Sequence, residues 1–298
     1  MSDKQRIGFV GVGLMGHGMA KHLHGAGHPL TILGHRNRKP VDDLVGRGAK
    51  EAKTPAEVAR ASDIVFLCLP TSDHVEAIVA GPDGLLEGAA EGMIVVDTST
   101  ADPSSTLRLG EIAAARGVHL VDAPLTRTPK EAEEGKLNTM VGCDETLFAT
   151  LKPVMACYAE NVFHVGPLGA GHKLKLINNF MAMGLASLVA EAVTAARTVG
   201  VDLVRLNELV SAGPVNSGIF QKMMAQAIDG DPSGLQFAIR NARKDLRYFN
   251  NMASEAGLFG AMAPAALQTL TLAVALGHGE ELVPQLVDVL SEVNGAKT

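Results

Sequence analysis

IGFVGVGLMGHGMA, residues 7–20, holds a strand, a turn and a helix start in a single short stretch. Ile7, Phe9 and Val10 give an apolar run that reads as a buried strand. Gly11, Val12, Gly13, Leu14, Met15 and Gly16 then form a GxGxxG turn, and GMAKHL resumes with helical spacing. In such a turn the first glycine allows a tight bend, the second lets backbone N–H groups approach a pyrophosphate, and the third lets helix pack closely on strand. The helix start adds partial positive charge. An ordinary Gly-rich strand-to-helix turn would look the same in isolation. Its place at the head of a βαβ unit makes a dinucleotide cradle, Gly11 to Gly16, the better reading.

Outward from this stretch, IGFVG, PLTIL, DIVFLCLP, MIVVDTS, HLVDAP and TMVGC read as short strands that are apolar on both faces. Parallel strands covered by helices have that pattern. MGHGMAKHLHGAG and PAEVARAS, lying between them, carry helical periodicity closed by glycine or polar stops. Strand and helix alternating at this spacing predict a doubly wound, mainly parallel α/β sheet, a Rossmann domain. Beyond the Gly-rich VGPLGAG at 165–171 the strand signal stops. Helical patterns follow over about 172–198, 203–212, 218–228, 234–256, 262–276 and 283–294. The expected organisation is an α/β domain over 1–166 and an all-α domain over 167–298, joined by a long helix.

Composition removes several function classes. A net charge of −6 without a long basic run argues against a nucleic-acid binder. Cys68, Cys143 and Cys157 are scattered, with no CxxC pair, which fits a reducing cytoplasm better than a disulfide framework. Lys4 and Arg6 before IGFVGVGLMG imitate a leader, but glycines interrupt the run, so it reads as strand and turn. No stretch approaches about eighteen uninterrupted apolar residues, so no membrane span is expected. His22, His24 and His28 cluster without a carboxylate to complete a metal site, and none is expected.

The end of the second strand bears on the cofactor. NAD sites usually place Asp or Glu there to accept hydrogen bonds from the adenosine ribose. Here ILGHRNRKP offers His35, Arg36, Arg38 and Lys39, and the first acid is Asp42. Guanidinium forks suit a phosphate, so NADP is preferred over NAD, the alternative being a solvated basic loop.

GHKLKLINNF, residues 171–180, opens an otherwise apolar helix with two lysines and two asparagines. Residues three or four apart share a helix face, so Lys175 aligns with Asn178 and Asn179, whereas Lys173 points nearly the opposite way. Lys175 reads either as a snorkelling amine or as a group held for chemistry.

Taken in order, GFVGVGLMGHGMA, FLCLP, VDTST, DAPLTRTP, GAGHKLKLINN and ARKDL resemble the β-hydroxyacid dehydrogenase family over essentially the whole chain. The family's GxGxxxKxxNN motif falls on Gly169, Gly171, Lys175, Asn178 and Asn179. The resemblance implies that Lys175 is the acid/base and Asn179 its partner in holding substrate. Hydride delivery to an aldehyde creates an alkoxide, and an ammonium within reach stabilises and protonates it. The resemblance also places Thr100, Leu69, Pro70 and Lys244 at the cofactor. Thr100 could equally cap the following helix, and Lys244 could belong to a charged helix face.

One loop departs from the family. Where members commonly read DAPVSGG, this chain reads DAPLTRTP, with Thr126, Arg127 and Thr128 in place of serine and two glycines. Arg127 could clamp a substrate anion, as in the sulfolactaldehyde-reducing branch that the loop resembles, or fold into solvent. GHGEE near the C-terminus replaces an acidic turn common in relatives. The expectation is an NAD(P)-dependent oxidoreductase of a small anionic semialdehyde or β-hydroxyacid, assembled as a homodimer or homotetramer. The alternatives are imine reduction on the same fold and a non-catalytic cofactor-binding module.

Overall fold

A computed structural model of the chain describes residues 4–296. By compactness it divides into Met1–Lys175 and Leu176–Thr298. The division falls inside the long helix Ala170–Val199, beyond the Gly-rich turn expected to mark it, because the first turns of that helix are bonded to the sheet unit.

The first unit is built on one sheet. Its strands are β1 (Ile7–Val10), β2 (Leu30–Leu33), β3 (Lys50–Ala52), β4 (Ile64–Leu67), β5 (Ile94–Asp97), β6 (His119–Asp122), β7 (Leu125–Thr126), β8 (Leu137–Gly142) and β9 (Ala159–Gly166). They lie in the order β3-β2-β1-β4-β5-β6-β8-β7, with β9 on β8. β1 to β6 are parallel to one another, and β8 runs antiparallel to β6 and β7. The order reverses between β1 and β4. That reversal opens a crevice at the carboxyl ends of these strands, where doubly wound sheets take ligands.

Alternation explains the two-sided apolar runs. Ile64 and Phe66 pack with Ile7, Phe9, Ile32, Val96 and Tyr158 on one face. Val65 and Leu67 pack with Val10, Val58, Val75 and Val95 on the other. Each such side chain contributes about 1.5–3 kcal/mol by leaving water, so neither face accepts a polar replacement cheaply.

The second unit has helices over Leu203–Ser211, Gly218–Asp229, Ile239–Glu255, Met262–Ala275 and Leu286–Val293, together with the long helix beyond Lys175. Met183, Ala190, Val193, Met223, Leu246, Leu270 and Leu290 form its core. Two helical expectations shorten. Ala238 pairs with Leu282 in an isolated β-bridge, which delays one helix to Ile239. Pro284 holds Val283–Gln285 in a 3₁₀ turn before the last one. By length and composition the long helix could cross a membrane, with a mean hydropathy of 1.5 over its most apolar window. Its buried residues here are spent on the protein's own core.

Candidate active site

Gly11 adopts a φ of +99°, and a Cβ there would collide with the Cys68 carbonyl at the end of β4. Only glycine fits that bend. Around Gly13 nothing lies within 4 Å of an added Cβ, so the middle of the turn faces open space. Val12 is buried, Met15 half-buried and Leu14 exposed, and the helix Gly16–Gly25 starts directly behind them. A bend fixed by Gly11, an open middle and a helix N-terminus fit a pyrophosphate.

After β2, His35 and Arg36 are exposed, whereas Arg38 is engaged. Asn37 caps the helix Arg38–Gly46 by accepting from the Lys39 N–H. Arg38 donates to both oxygens of Glu51, at 2.6 and 2.9 Å, and to Asp42 at 2.9 Å. Gly34, His35, Arg38, Glu51, Ala52 and Lys53 line a cavity of about 590 Å³.

Hydroxyls tie the neighbouring strand ends together. Thr98 donates to the Leu67 carbonyl at 2.6 Å, and Ser99 Oγ accepts from the Leu69 N–H at 2.9 Å. Leu69 is half-buried, Pro70 exposed and Thr100 half-buried. Capping of the helix Pro103–Ala114 falls to Asp102, whose carboxylate accepts from the Ser104 N–H, so the capping reading of Thr100 is removed.

The last of these ends carries Asp122. Fully buried, its two oxygens accept from the Gly169 and His172 N–H groups, each at 2.7 Å. Burial pushes its carboxyl up, against the opposing pull of His172 and of these two donors. His172, also fully buried, reaches the Ser99 carbonyl through Nε2 at 3.2 Å and Thr106 Oγ1 through Nδ1 at 2.8 Å. A carbonyl only accepts, so Nε2 carries the proton in this bond; the Thr106 hydroxyl lies between Nδ1 and the Asp102 carbonyl, 3.2 Å away, and has one proton for the two. Lys175, half-buried, follows His172 on the same helix, while Lys173 is exposed. The turn bearing Lys175 is thereby fastened to the carboxyl edge that holds the Gly11 bend.

The departing loop is organised from within. Arg127 has a φ of +82°, a left-handed value rare outside glycine. Its guanidinium donates to the Lys136 carbonyl at 2.5 Å and pairs with Glu160 at 2.5 Å. The charge expected to clamp a substrate anion is therefore matched by a carboxylate of β9. Thr126 accepts from Asn138 at 3.2 Å. Thr128 joins a capping box with Glu131 at the start of the helix Pro129–Glu134.

In the second unit Asn179 is buried and Asn178 exposed. Asn178 Nδ2 donates to Asn179 Oδ1 at 3.2 Å, and Asn179 Nδ2 donates to Asp245 Oδ2 at 2.6 Å. Asp245 is 2% exposed, and its other oxygen lies 3.1 Å from Lys244 Nζ. Sequence reasoning had reached Lys244 and both asparagines but not Asp245. In ARKDLRYF its sign was hidden within a charged helix face; the signal available was an acid flanked on one side by apolar Leu246. Glu51, Asp122 and His172 were missed as well. Among the described residues no group of three His, Cys, Asp or Glu side chains is placed to hold a metal ion.

Comparison with known proteins follows the two units. Residues 6–166 match the NAD binding domain of 6-phosphogluconate dehydrogenase, and residues 169–290 match the NAD-binding domain of NADP-dependent 3-hydroxyisobutyrate dehydrogenase. The 2-(hydroxymethyl)glutarate dehydrogenase of Eubacterium barkeri is 34% identical, the alignment covering 99% of this chain and 98% of that protein. The 2-hydroxy-3-oxopropionate reductase of Escherichia coli strain K12 is 34% identical over 72% of this chain and 73% of its own length. Among solved structures, the 3-hydroxyisobutyrate dehydrogenase of Mycobacterium tuberculosis with L-serine superposes with a TM-score of 0.85 at 23% identity, covering 96% of this chain and 99% of that one.

Proposed function

Because the chain belongs to the β-hydroxyacid dehydrogenase family and is an NAD(P)-dependent oxidoreductase of small hydroxyacids or their semialdehydes, we propose that Lys175 is its acid/base and that Asn179 holds the reacting oxygen. One observation carries the assignment: Asp122 fastens the start of the lysine-bearing helix to the sheet edge that ends in the Gly11 bend. The bound nicotinamide gives or takes the hydride. In the reductive direction the Lys175 ammonium donates a proton to the substrate oxygen as negative charge develops on it; in the oxidative direction the neutral amine removes the hydroxyl proton. Asn179, its amide turned by Asp245, presents a fixed hydrogen-bonding group instead of a rotating one.

In this reading the Gly11–Gly16 backbone cradles the pyrophosphate, Leu69, Pro70 and Thr100 border the nicotinamide half, and Lys244 contributes charge. His35 and Arg36, exposed after β2, receive a 2′-phosphate and favour NADP. Thr126, Thr128 and the left-handed backbone at Arg127 shape the acceptor for the substrate's anionic end, with Asn178 beside it. A non-catalytic module would not need an amine on this turn, and imine reduction would not need an alkoxide proton donor. Three free cysteines support a reducing, cytoplasmic setting, and exposed Ile177, Met181 and Leu188 support self-association. The test is turnover of small acidic semialdehydes and β-hydroxyacids with each nicotinamide, by the parent and by Lys175→Ala. The reading stands if only the parent turns them over while both bind cofactor.

A further inference from the structure

The strand end that should carry a ribose-reading carboxylate carries none, yet a carboxylate lies there. β2 ends at Leu33, and Gly34 follows. β3 runs parallel beside it with Ile32 opposite Glu51 and Leu33 opposite Ala52. This register brings the Glu51 side chain to the end of β2, close enough that a Cβ on Gly34 would collide with Glu51 Oε1. Any larger residue at position 34 would evict it. The same carboxylate faces the cavity lined by Gly34, His35, Arg38 and Lys53 and meets the Arg38 guanidinium through two bonds, 2.6 and 2.9 Å.

Two consequences follow for a nucleotide in that cavity. A 2′-phosphate seeking the Arg38 fork finds it already facing a carboxylate of its own sign, so the phosphate must displace Glu51 or go without Arg38. A ribose 2′-hydroxyl finds in Glu51 the acceptor that NAD sites ordinarily carry on the second strand, supplied here from the third. Asp42 also pairs with Arg38, but its side chain is 63% exposed against 33% for Glu51, and it does not border the cavity.

We infer that Glu51 is a specificity-determining residue for the cofactor: it withholds Arg38 from a 2′-phosphate and keeps NAD usable alongside NADP. The inference rests on the reading that the loop after β2 meets the adenosine end of the cofactor. Removing the carboxylate's charge hands Arg38 to the phosphate.

Adenosine fragments test this without turnover. Calorimetric titration of the full chain with 5′-AMP and with 2′,5′-ADP compares parent, Glu51→Gln and Asp42→Asn. Glu51→Gln is expected to strengthen 2′,5′-ADP relative to 5′-AMP by about tenfold or more, the worth of one charge-assisted hydrogen bond. Asp42→Asn should change the ratio by less than about threefold, the scale of an exposed pair. Adding Arg38→Ala to Glu51→Gln should erase the gain. An unchanged ratio in Glu51→Gln, or an equal shift in Asp42→Asn, overturns the role of Glu51. Fragments that bind without competing with NADPH would overturn the placement of the adenosine end as well, whereas a chain that binds them as expected but reduces no aldehyde would sink only the assigned chemistry.

Discussion

Asn179 Nδ2 lies 2.6 Å from Asp245 Oδ2, both groups being buried. The carboxylate accepts only, so it fixes which end of the Asn179 amide is nitrogen and leaves the oxygen facing Asn178. Replacing Asp245 with Asn offers the amide a partner that can present N–H instead of oxygen, and Asn179 is then free to flip. Asp245→Asn is expected to lower kcat about ten- to a hundredfold, the range of a lost charge-assisted bond, with NADPH affinity preserved. Steady-state kinetics beside a cofactor titration separate the two, and undiminished kcat would show that Asp245 only supports the fold.

Lys175→Ala removes the proposed proton donor and leaves the Gly11 bend untouched. Turnover of a preferred semialdehyde should fall by about 10² to 10⁴, the usual range for a positioned acid/base. Lys175→Arg should recover little, since guanidinium keeps its proton across the working range. NADPH binding by fluorescence should match the parent in both variants. A Lys175→Ala protein with near-parental turnover would require another proton source.

How much of this was legible beforehand differs by element. The central strands followed from IGFV, TIL, IVFL and IVVD, because a parallel strand buried on both faces writes its burial directly into consecutive residues, whereas their order across the sheet is not written there. β3 was missed for the opposite reason: Lys50 and Glu51 are exposed on an edge strand, and KEA carries no apolar run. β9, largely half-exposed or exposed, was lost in the same way. The cations after β2 were counted as free to meet a phosphate, but Arg38 has two carboxylate partners, one of them on a different strand. Sequence order along one strand cannot report a side chain arriving from its neighbour. Helical spacing put Lys175 and Asn179 on one face and the resemblance suggested their roles, whereas the groups that orient their turns, Asp122 and Asp245, are defined by contacts far apart in the chain.

Arg127 and Glu160 make a separable prediction. If the guanidinium braces the loop, Arg127→Ala and Glu160→Gln should each reduce turnover, and the double variant should be no worse than Arg127→Ala alone. Both should lower the ratio of anionic to neutral aldehyde turnover by about the same factor, since both loosen the loop that receives the anionic end. A loss confined to anionic substrates in Arg127→Ala, with Glu160→Gln silent, would restore the anion clamp. Arg127→Gly tests the backbone separately. Relief of the left-handed conformation is worth about 1–2 kcal/mol, which opposes the loss of the ion pair.

His172 connects three strand ends to the long helix, since Ser99 accepts its Nε2–H and is itself the acceptor for Leu69. A glutamine can reproduce both ring contacts, its N–H toward Ser99 and its oxygen toward Thr106, whereas alanine reproduces neither and leaves a cavity beside buried Asp97 and Asp122. His172→Ala is therefore expected to destabilise by about 2–4 kcal/mol and to lower the melting temperature by about 5–15 °C. Because Ser99 precedes Thr100, the same variant should also raise KM for the cofactor. His172→Gln should recover most of both quantities. Thermal denaturation and cofactor titration of the pair decide the matter: if glutamine behaves like alanine, the ring's volume, not its hydrogen bonds, holds the edge together.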